Sequence, residues 1–322
     1  MNIPNKRILF TVFTPTYNRA HTLQRVYHSL LRQTYKDFIW LIIDDGSTDK
    51  THDLIKGWIS ENQITIDYRY KANGGKHTAM SMAFKTCHTK YLIGIDSDDE
   101  LRPDAIETFK KVWESIIHYG LEAQFAEVSG LTHDSTGKLV GDFYFPEALE
   151  FIDSNWHEMV LKQHNNNEHI VCWDLKKLRE CVDIPENFWL SNKVNMLGEG
   201  IFWARIGRKY KTRYINKGLR IYNYDAGESL LRISDKKKGH FNNLASNRFF
   251  LDENLDHFNN NPKYFINLIL KYIISGVELG FSPLYVLRNI NTNRFKIFYV
   301  LLLPPGILAW FYFKKIKKNF WF

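Results

Sequence analysis

The segment Asp-Ser-Asp-Asp at residues 96–99 directly follows a short apolar run at residues 91–95. Adjacent carboxylates repel one another and raise each other's pKa unless a cation neutralises them, and ligand sets made only of oxygen favour Mg²⁺ or Mn²⁺. A cation held by one or two carboxylates usually completes its shell with water and substrate phosphates, so the segment predicts a metal and diphosphate site. The alternative is a solvated acidic turn that caps the helix expected to begin near Pro103.

Three further polar segments lie close to the ends of apolar runs. They are Thr-Pro-Thr-Tyr-Asn-Arg at residues 14–19, Asp-Asp-Gly-Ser-Thr-Asp at residues 44–49 and Asn-Gly-Gly-Lys at residues 73–76. The paired glycines of the third segment allow a ligand to approach the backbone closely, and Lys76 supplies a point charge suited to phosphate. In isolation, the same four residues are a common loop.

The first two of these segments carry groups that suit a nucleoside. The carboxylate of Asp45 could accept the imide N–H of uracil, while the ring of Tyr17 could stack on the face of the base. Equally, Ser47 and Asp49 would cap and charge the start of a helix in any protein. On its own, the segment at residues 44–49 therefore leaves a binding role and a capping role open.

The elements that must position these segments alternate between strand and helix. Residues 8–14 and 38–43 are continuous apolar and β-branched runs, as in strands buried on both faces of a parallel sheet, and the first is expected to end at the proline that follows. Apolar residues recur at helical spacing over residues 20–33, and strand and helix patterns follow over residues 64–70 and 78–86. The sequence thus predicts an α/β fold with a mostly parallel central sheet flanked by helices. Ligands of such folds lie outside the carboxyl ends of the strands.

The order of these four segments over about the first 110 residues resembles the family 2 glycosyltransferases. The resemblance implies a GT-A-type, Rossmann-like fold, a nucleotide diphosphate-sugar donor, for which a UDP-sugar is favoured, and a Mn²⁺ or Mg²⁺ cofactor. It also implies an inverting single displacement in which a base deprotonates an acceptor hydroxyl. By this resemblance the metal ligands are Asp96 and Asp98, and the donor-binding residues are Thr14, Pro15, Tyr17, Arg19, Asp45, Asn73, Lys76, Asp96 and Ser97.

A single displacement needs a carboxylate within about 3 Å of the acceptor hydroxyl, on the face of the sugar opposite the diphosphate. Members of the family usually carry a Glu-Asp pair at the start of a helix well beyond the metal segment, and here Gly198-Glu199-Gly200 occupies that place. Because glycine replaces the aspartate, the prediction rests on Glu199 as the catalytic base. The alternative is that Glu199 only caps the following helix, whose dipole also favours an acidic residue there.

The chain is expected to divide into a catalytic domain and a helical appendage. The predicted bounds are residues 1–235 for the GT-A-type domain, with a nucleotide-binding half at 1–110 and an acceptor half at 111–235, and residues 236–322 for the appendage. Within the acceptor half, residues 130–145 have the pattern of two strands around a turn, and this hairpin could line the base of the acceptor cleft. Asp225 and Glu228 are interpreted as part of a surface loop.

Residues 297–313 carry no charge, and a run rich in lysine follows them at residues 314–318. A spanning helix needs about 20 apolar residues, and Pro304-Pro305 is expected to interrupt this one, so a re-entrant or interfacial segment is favoured over a crossing. Basic residues near anionic headgroups contribute about 1 kcal/mol each, enough to hold a peripheral protein on the cytoplasmic face of the plasma membrane. The alternative is a buried helical hairpin or a dimer contact.

The net charge and the cysteines of the chain indicate its partners and its cellular location. The formal net charge of +8 at pH 7 suits an anionic lipid surface or a phosphorylated substrate, and no nucleic-acid partner is expected. The three cysteines are odd in number and lack C-x-x-C spacing, so we predict no disulfide framework, no zinc site and a cytoplasmic location. The first apolar run is too short and wrongly flanked for a signal peptide. Together with the apolar tail, this favours a saccharide acceptor linked to a lipid, as in cell-surface polysaccharide synthesis.

Two other functions fit part of the pattern. A nucleotidyltransferase would also combine an α/β sheet, a metal and a nucleotide, but it would leave Glu199 without a task and would release pyrophosphate. A non-catalytic membrane adaptor that keeps only donor binding is the second, because Gly200 stands where an aspartate is usual.

Overall fold

The computed structural model describes residues 9–146, 148–184, 188–224 and 235–316, with side chains to residue 312 in the last range. Within these residues a sheet of nine strands forms the centre of the fold. The strands are β1 Phe10–Thr16, β2 Phe38–Asp44, β3 Thr65–Tyr70, β4 Tyr91–Gly94, β5 Glu100–Leu101, β6 Phe125–Asp134, β7 Phe151–Ser154, β8 His169–Asp174 and β9 Lys211–Tyr222.

Helices connect the strands and form the C-terminal part of the chain. In the described residues they are α1 Leu23–Leu31, α2 Thr51–Glu61, α3 Lys76–Thr86, α4 Ala105–His118, α5 Leu175–Cys181, α6 Gly200–Gly207, α7 Lys236–Asn254, α8 Pro262–Glu278, α9 Pro283–Arg288 and α10 Asn293–Ile316. Shorter 3₁₀ or π turns lie at Glu122–Gln124, His157–Lys162, Ser191–Lys193 and Leu255–Asn260.

The sheet has the strand order β3-β2-β1-β4-β8-β6-β9-β5, and β7 pairs with β9. All pairings among β1 to β4 are parallel, whereas β8 runs antiparallel to both β4 and β6. Further along, β6 and β9 are parallel again. The predicted α/β fold, with its parallel strands, flanking helices and helical C-terminal region, is confirmed.

Burial explains why the first elements form where the apolar runs predict them. Val12 of β1 and Ile42 of β2 are fully buried, and so is the α1 stripe of Leu23, Val26 and Leu30 that packs in the same core. Burying a side chain of this size contributes roughly 1.5–3 kcal/mol. This core fixes the strand register, and the register brings the carboxyl ends of β1, β2 and β3 to one edge.

The expectation that β1 ends before Pro15 is wrong, because the strand continues to Thr16. The main-chain O of Phe13 accepts the N–H of Ile95 at 2.9 Å, whereas the main-chain O of Thr16 accepts the N–H of Asp45 at 2.8 Å. Since successive residues of a strand point their polar groups to opposite neighbours, the nitrogen of Pro15 faces the β4 side. β4 has already ended there, so the missing N–H of the proline costs no hydrogen bond.

The expected two-stranded hairpin over residues 130–145 is only half correct. Its first half is the end of β6, but the returning segment pairs with β6 only through one bridge, between His133 and Leu139, beside the hydrogen bond from the N–H of Val140 to Thr132 O at 3.0 Å. Beyond this bridge a side chain takes the hydrogen bond instead, because Asn167 Oδ1 accepts the N–H of Phe143 at 2.9 Å. Such side-chain bonds compete with strand pairing.

The chain divides into two compact units, Met1–Ile184 with Arg205–Gly227, and Pro185–Ala204 with Glu228–Phe322. The segment before α6 belongs to the second unit through contacts with α7. Asn242 Nδ2 donates to Asn195 Oδ1 at 2.7 Å, and Ser246 Oγ accepts the N–H of Gly198 at 2.9 Å. Residues Pro185–Ala204 thus belong to the second compact unit, although they lie before the predicted domain boundary at residue 235. The functional halves of the catalytic domain stay a prediction.

The last helix runs without a break through Pro304 and Pro305, so the expectation that these prolines interrupt it is wrong. Each proline removes one N–H to the residue four positions earlier, but because the two are adjacent, the loss falls within a single turn. Packing on both sides of that turn holds the helix: Phe295 is fully buried, and Gly306 lies against Ile273. Among the described residues, only the stretch Asn293–Tyr312 is long and apolar enough to cross a membrane, with mean hydropathy 1.5 and 17% of its apolar window buried.

Candidate active site

The polar segments predicted from the sequence follow neighbouring strands at one edge of the sheet. In the parallel register Thr16 of β1 lies beside Asp44 of β2, and Asp44 lies beside Tyr70 of β3. The segment at residues 96–99 follows β4, which is the other neighbour of β1. The four segments therefore share one rim, which we call the strand-end rim: residues 14–19, 44–49, 70–76 and 96–99.

The loops after β1 and β2 are locked together by Asn18. This residue adopts the left-handed conformation, with φ 53°, which asparagine tolerates better than most residues. Its Oδ1 accepts the N–H of Thr48 at 2.8 Å, and its own N–H donates to Ser47 Oγ at 2.9 Å. The lock leaves the side chain of the preceding Tyr17 46% exposed, so its ring is accessible at the rim.

Asp45 is the organising residue of the loop between β3 and α3. Its side chain is buried, and its Oδ1 accepts hydrogen bonds from Lys71 Nζ at 2.5 Å and from the N–H of Gly74 at 2.9 Å. The other oxygen, Oδ2, accepts the N–H of Gly75 at 2.7 Å. Because a carboxylate oxygen has two acceptor positions, Oδ2 keeps one for a further donor.

The loops after β2 and β3 also approach each other through their backbones. Asn73 Nδ2 donates to the main-chain O of Asp45 at 2.9 Å. Gly46 has φ 86°, and a Cβ at this position would lie 2.9 Å from the main-chain N of Asn73. A side chain at position 46 would therefore push the glycine loop away from β2.

The acidic segment alternates in burial. Asp96 and Asp98 are partly exposed, whereas Ser97 and Asp99 are buried, with 8% and 1% of their surface exposed. Lys76, the first residue of α3, brings its Nζ to 2.6 Å from Asp96 Oδ1. The outward side of the segment thus presents two carboxylates beside one lysine.

The carboxyl groups of the segment differ in their pKa. Burial, and then the charge of Asp96, raises the pKa of Asp98. Burial raises the pKa of Asp99 to about 7, although the nearby guanidinium of Arg220 lowers it. Burial also acts on Asp96, but the charges of Lys76 and then Arg220 hold its pKa below the ordinary value. Burial therefore dominates the pKa of Asp98 and Asp99, whereas the charges of Lys76 and Arg220 outweigh burial only at Asp96.

The structure brings most predicted donor-site residues to the strand-end rim. Among the predicted residues that lie on the rim are Pro15, Tyr17, Arg19, Asp45, Asn73, Lys76, Asp96, Ser97 and Asp98. Thr14 is different, because its side chain is fully buried and its hydroxyl accepts the indole N–H of Trp40 at 3.0 Å. The side chains of Asp45, Asn73 and Lys76 all bond to other parts of the rim.

Glu199 lies in the second compact unit, directly before α6. Its main-chain O accepts the N–H groups of Phe202 at 2.8 Å and Trp203 at 3.2 Å, so its backbone stands at the N-cap position. Its side chain is half-buried. The role of Glu199 as a base stays a prediction.

Four residues that support the rim were not predicted from the sequence: Asn18, Lys71, Arg220 and Asn223. Asn18 lies inside the polar segment at residues 14–19, but no role was predicted for it. Lys71 directly follows β3, and this position at a strand end could have indicated a role in the site. Asn223 and Arg220 of the β9 region had no such signal, because they reach the acidic segment across 125 and 121 positions of sequence, respectively. Only the pairing of β5 with β9 brings them there.

A sheet that is parallel over its first four strands, with polar loops and a paired acidic segment at their carboxyl edge, defines the GT-A-like class of nucleotide-binding folds. Residues 11–121, which include all four rim loops, match the model described as glycosyl transferase family 2. This match confirms the resemblance to that family over the residues that carry the strand-end rim.

Two curated relatives extend the similarity beyond this domain. The glycosyltransferase GlyA of Streptococcus pneumoniae serotype 4 is 27% identical over 241 residues, which is 71% of this chain and 32% of that protein. The hyaluronan synthase of Pasteurella multocida is 27% identical over 265 residues, which is 75% of this chain and 26% of that protein. The chain therefore spans about a third or less of the length of these relatives.

Solved structures show the same fold. The crystal structure of S. aureus TarS in complex with UDP-GlcNAc has a TM-score of 0.54 and 15% sequence identity, and it covers 94% of this chain and 92% of that chain. Similarity at this level of identity concerns the fold alone, and it includes the helical C-terminal region.

Proposed function

We propose that the chain is an inverting, metal-dependent glycosyltransferase that moves a sugar from a UDP-sugar to an acceptor hydroxyl. The observation that carries the proposal is the alternation along residues 96–99, which turns Asp96 and Asp98 outward beside Lys76 and buries Ser97. Two carboxylates next to an ammonium group suit a diphosphate that binds together with a divalent cation. The family 2 match over the same loops supports this reading.

The chemistry of the rim fits a cation shared between protein and substrate. Among the residues that the structure describes, no group of three or more His, Cys, Asp or Glu side chains could hold a metal ion alone. Asp225 and Glu228 lie outside the described residues. Asp96 and Asp98 would hold Mn²⁺ or Mg²⁺ by oxygen, with water and the diphosphate as the remaining ligands. When bound, the cation would supply positive charge against the leaving diphosphate.

Uridine is the proposed nucleoside. The acceptor position that remains on Asp45 Oδ2 suits the imide N–H of uracil, and the exposed ring of Tyr17 suits stacking on the base. A structural neighbour, S. aureus TarS, was solved with UDP-GlcNAc, which supports a UDP-sugar. Arg19 and Lys76 would add positive charge near the phosphates.

In the proposed reaction the acceptor oxygen attacks the anomeric carbon from the face opposite the diphosphate. The new C–O bond forms as the bond to the diphosphate oxygen breaks, so the configuration inverts and UDP leaves. Glu199 would take the proton of the acceptor hydroxyl. Glu199→Gln should then abolish transfer while UDP binding stays unchanged, and a variant that still transfers sugar would remove Glu199 from this role.

The direct test is a screen of nucleotide sugars with the purified full chain and Mn²⁺ or Mg²⁺. We expect UDP release from one or more UDP-sugars in the presence of a saccharide acceptor, and loss of that release in Asp98→Ala. Release of pyrophosphate from a nucleoside triphosphate would instead identify a nucleotidyltransferase. Binding of UDP without transfer to any acceptor would favour the adaptor.

We also propose that α10 rests on the cytoplasmic face of the plasma membrane and that the acceptor is a lipid-linked saccharide. One face of α10 exposes apolar side chains at helical spacing, namely Ile297, Val300, Leu301, Leu308 and Phe311. Its opposite face packs within the C-terminal helices through Phe295 and Tyr299, which suits a helix that lies in the interface. A relative named as a hyaluronan synthase supports a saccharide acceptor.

Sedimentation with lipid vesicles tests the membrane assignment. The double substitution Leu301→Gln with Leu308→Gln should weaken binding to vesicles of anionic and zwitterionic lipid at least tenfold, because it removes apolar area from the contact without changing the charge. The control is Leu284→Gln, which changes an exposed leucine on α9. Equal binding of the double variant and the control would contradict the assignment, and loss of a dimer in the double variant would favour a contact between copies.

A further inference from the structure

The chain just after β9 is bonded directly to the acidic segment. The antiparallel pairing of β5 with β9 begins directly after this segment, and Asn223 is the first residue after β9. Asn223 Nδ2 donates to the main-chain O of Asp98 at 3.1 Å, and the main-chain N–H of Asn223 donates to Asp99 Oδ1 at 3.2 Å. One residue thus fixes the backbone of Asp98 and the side chain of Asp99 together.

Arg220 holds the same segment from within the sheet. Its side chain is 7% exposed, and its Nε lies 3.5 Å from Asp99 Oδ2. The guanidinium is fixed by two further partners, since Nε donates to Thr132 Oγ1 at 3.0 Å and Nη2 donates to Glu168 Oε2 at 3.0 Å. With these partners on β6 and next to β8, the charge of Arg220 cannot move away from the acidic segment without breaking several bonds.

These contacts hold the acidic segment in its turn. Asp99 is turned inward, where Asn223 donates to its Oδ1 and the guanidinium of Arg220 lies within ion-pair distance of its Oδ2, at 3.5 Å. Residues 96–99 form a turn in which the N–H of Asp99 donates to the main-chain O of Asp96 at 3.3 Å, and Asp98 within this turn is partly exposed at the rim. Because Asn223 holds both the main-chain O of Asp98 and the carboxylate of Asp99, it fixes the turn that presents the Asp98 side chain.

We propose that Asn223 and Arg220 are positioning residues of the donor site, which orient the Asp98 carboxylate toward the cation and diphosphate through the buried Asp99. The inference rests on the proposed function and adds to it two residues far outside the matched domain. Neither residue needs to touch the donor. Residues that hydrogen-bond to a metal ligand without touching the metal typically lower the metal affinity about 10–100-fold when they are removed.

Matched substitutions in β9 and directly after it separate positioning from general stability. Asn223→Ala has its control in Asn216→Ala, because Asn216 is an exposed asparagine of β9 whose side chain donates to Leu149 O at 3.4 Å. Arg220→Lys has its control in Arg213→Lys, because Arg213 is also a buried arginine of β9 and is paired with Asp153 at 2.7 Å.

The experiment measures three quantities on the full chain: the Kd of Mn²⁺ at a fixed concentration of UDP, the Kd of uridine without phosphate, and the melting temperature. Asn223→Ala and Arg220→Lys should each raise the Kd of Mn²⁺ about tenfold or more and leave the Kd of uridine within about twofold, because uridine uses the loops after β1 and β2. The two controls should leave both constants unchanged, although Arg213→Lys should lower the melting temperature as Arg220→Lys does.

The outcomes are distinguishable. An unchanged Kd of Mn²⁺ in Asn223→Ala and Arg220→Lys, with the wild type binding normally, would overturn the positioning role alone. So would a parallel loss of Mn²⁺ and uridine affinity that follows the melting temperature, because that pattern reports general unfolding. Failure of the wild type to bind Mn²⁺ with UDP would overturn the proposed function and, with it, this inference.

Discussion

Lys76 Nζ lies 2.6 Å from Asp96 Oδ1, so the first residue of α3 already neutralises one carboxylate of the acidic segment. The pair is only partly buried, with 18% of the lysine side chain and 40% of the aspartate side chain exposed. It joins the glycine loop after β3 to the segment after β4. This ammonium group would repel a cation bound by Asp96, whereas it would attract a phosphate.

The substitution Lys76→Met should therefore change metal and donor affinity in opposite directions. Without nucleotide, Mn²⁺ should bind about fivefold more tightly, because removing a nearby like charge at a partly exposed site is worth about 1 kcal/mol. The KM of the sugar donor should rise, because the phosphate loses a positive partner. Electron paramagnetic resonance of free Mn²⁺ and steady-state kinetics measure the two effects.

The control for this prediction is Lys90→Met, which removes a lysine paired with Glu122 at 2.6 Å in another part of the same unit. It should leave both constants unchanged. Mn²⁺ affinity that falls in Lys76→Met would show that the lysine supports the metal instead of competing with it.

Replacing two glycines by alanine should change the free energy of unfolding in opposite directions. Gly46→Ala places a Cβ 2.9 Å from the main-chain N of Asn73 at a left-handed position, so we expect a loss of about 1–3 kcal/mol in unfolding free energy and a higher donor KM. Gly57→Ala lies in α2 with nothing within 4 Å of the new Cβ, and it should stabilise the chain by about 0.5–1 kcal/mol. Urea unfolding measures both. A tolerated Gly46→Ala would refute the close approach of the two loops.

Glu127 should make stability depend on pH. Its side chain is buried in β6, where it accepts hydrogen bonds from Trp173 Nε1 at 2.9 Å and Thr212 Oγ1 at 2.5 Å. Burial raises the pKa of Glu127 from 4.5 to about 7, against the lowering effect of these hydrogen bonds. Between these two values the folded chain keeps a proton that the unfolded chain releases. The raised pKa of Glu127 therefore stabilises the folded chain fully below pH 4.5, and this stabilisation is lost as the pH rises to 7.

The loss from this single group amounts to about 3 kcal/mol. Glu127→Gln stays neutral and keeps the shape of the side chain, so the unfolding free energy of the wild type relative to this variant should fall as the pH rises through the window. Urea unfolding at several pH values gives this difference directly. Identical pH profiles for the two proteins would contradict the prediction.

The sequence predicted the parallel half of the fold well because its signals are local. The apolar runs of β1 and β2 and the stripe of α1 each lie within one element, and the polar segments follow from where those runs end. The carboxyl edge of a parallel sheet then brings the segments together without further information.

The features that the sequence did not predict depend on contacts between distant residues. The course of β1 through Pro15 depends on β4 ending early beside it. The clamp of Asn223 on Asp98 spans 125 positions and exists only through the pairing of β5 with β9. The three hydrogen bonds that Asp45 accepts depend on where Lys71 and the N–H groups of Gly74 and Gly75 lie in the folded loop, and the sequence does not show that these groups bind one carboxylate.

The central claim is that the strand-end rim binds a nucleoside diphosphate through a divalent cation held by Asp98. Isothermal titration of UDP, with and without Mn²⁺, tests it in the wild type and in Asp98→Asn. We predict that Mn²⁺ tightens UDP binding at least tenfold in the wild type and has no effect in Asp98→Asn, while uridine binds both proteins equally. UDP affinity that is independent of Mn²⁺ in the wild type, or an undiminished effect of Mn²⁺ in Asp98→Asn, would contradict the account.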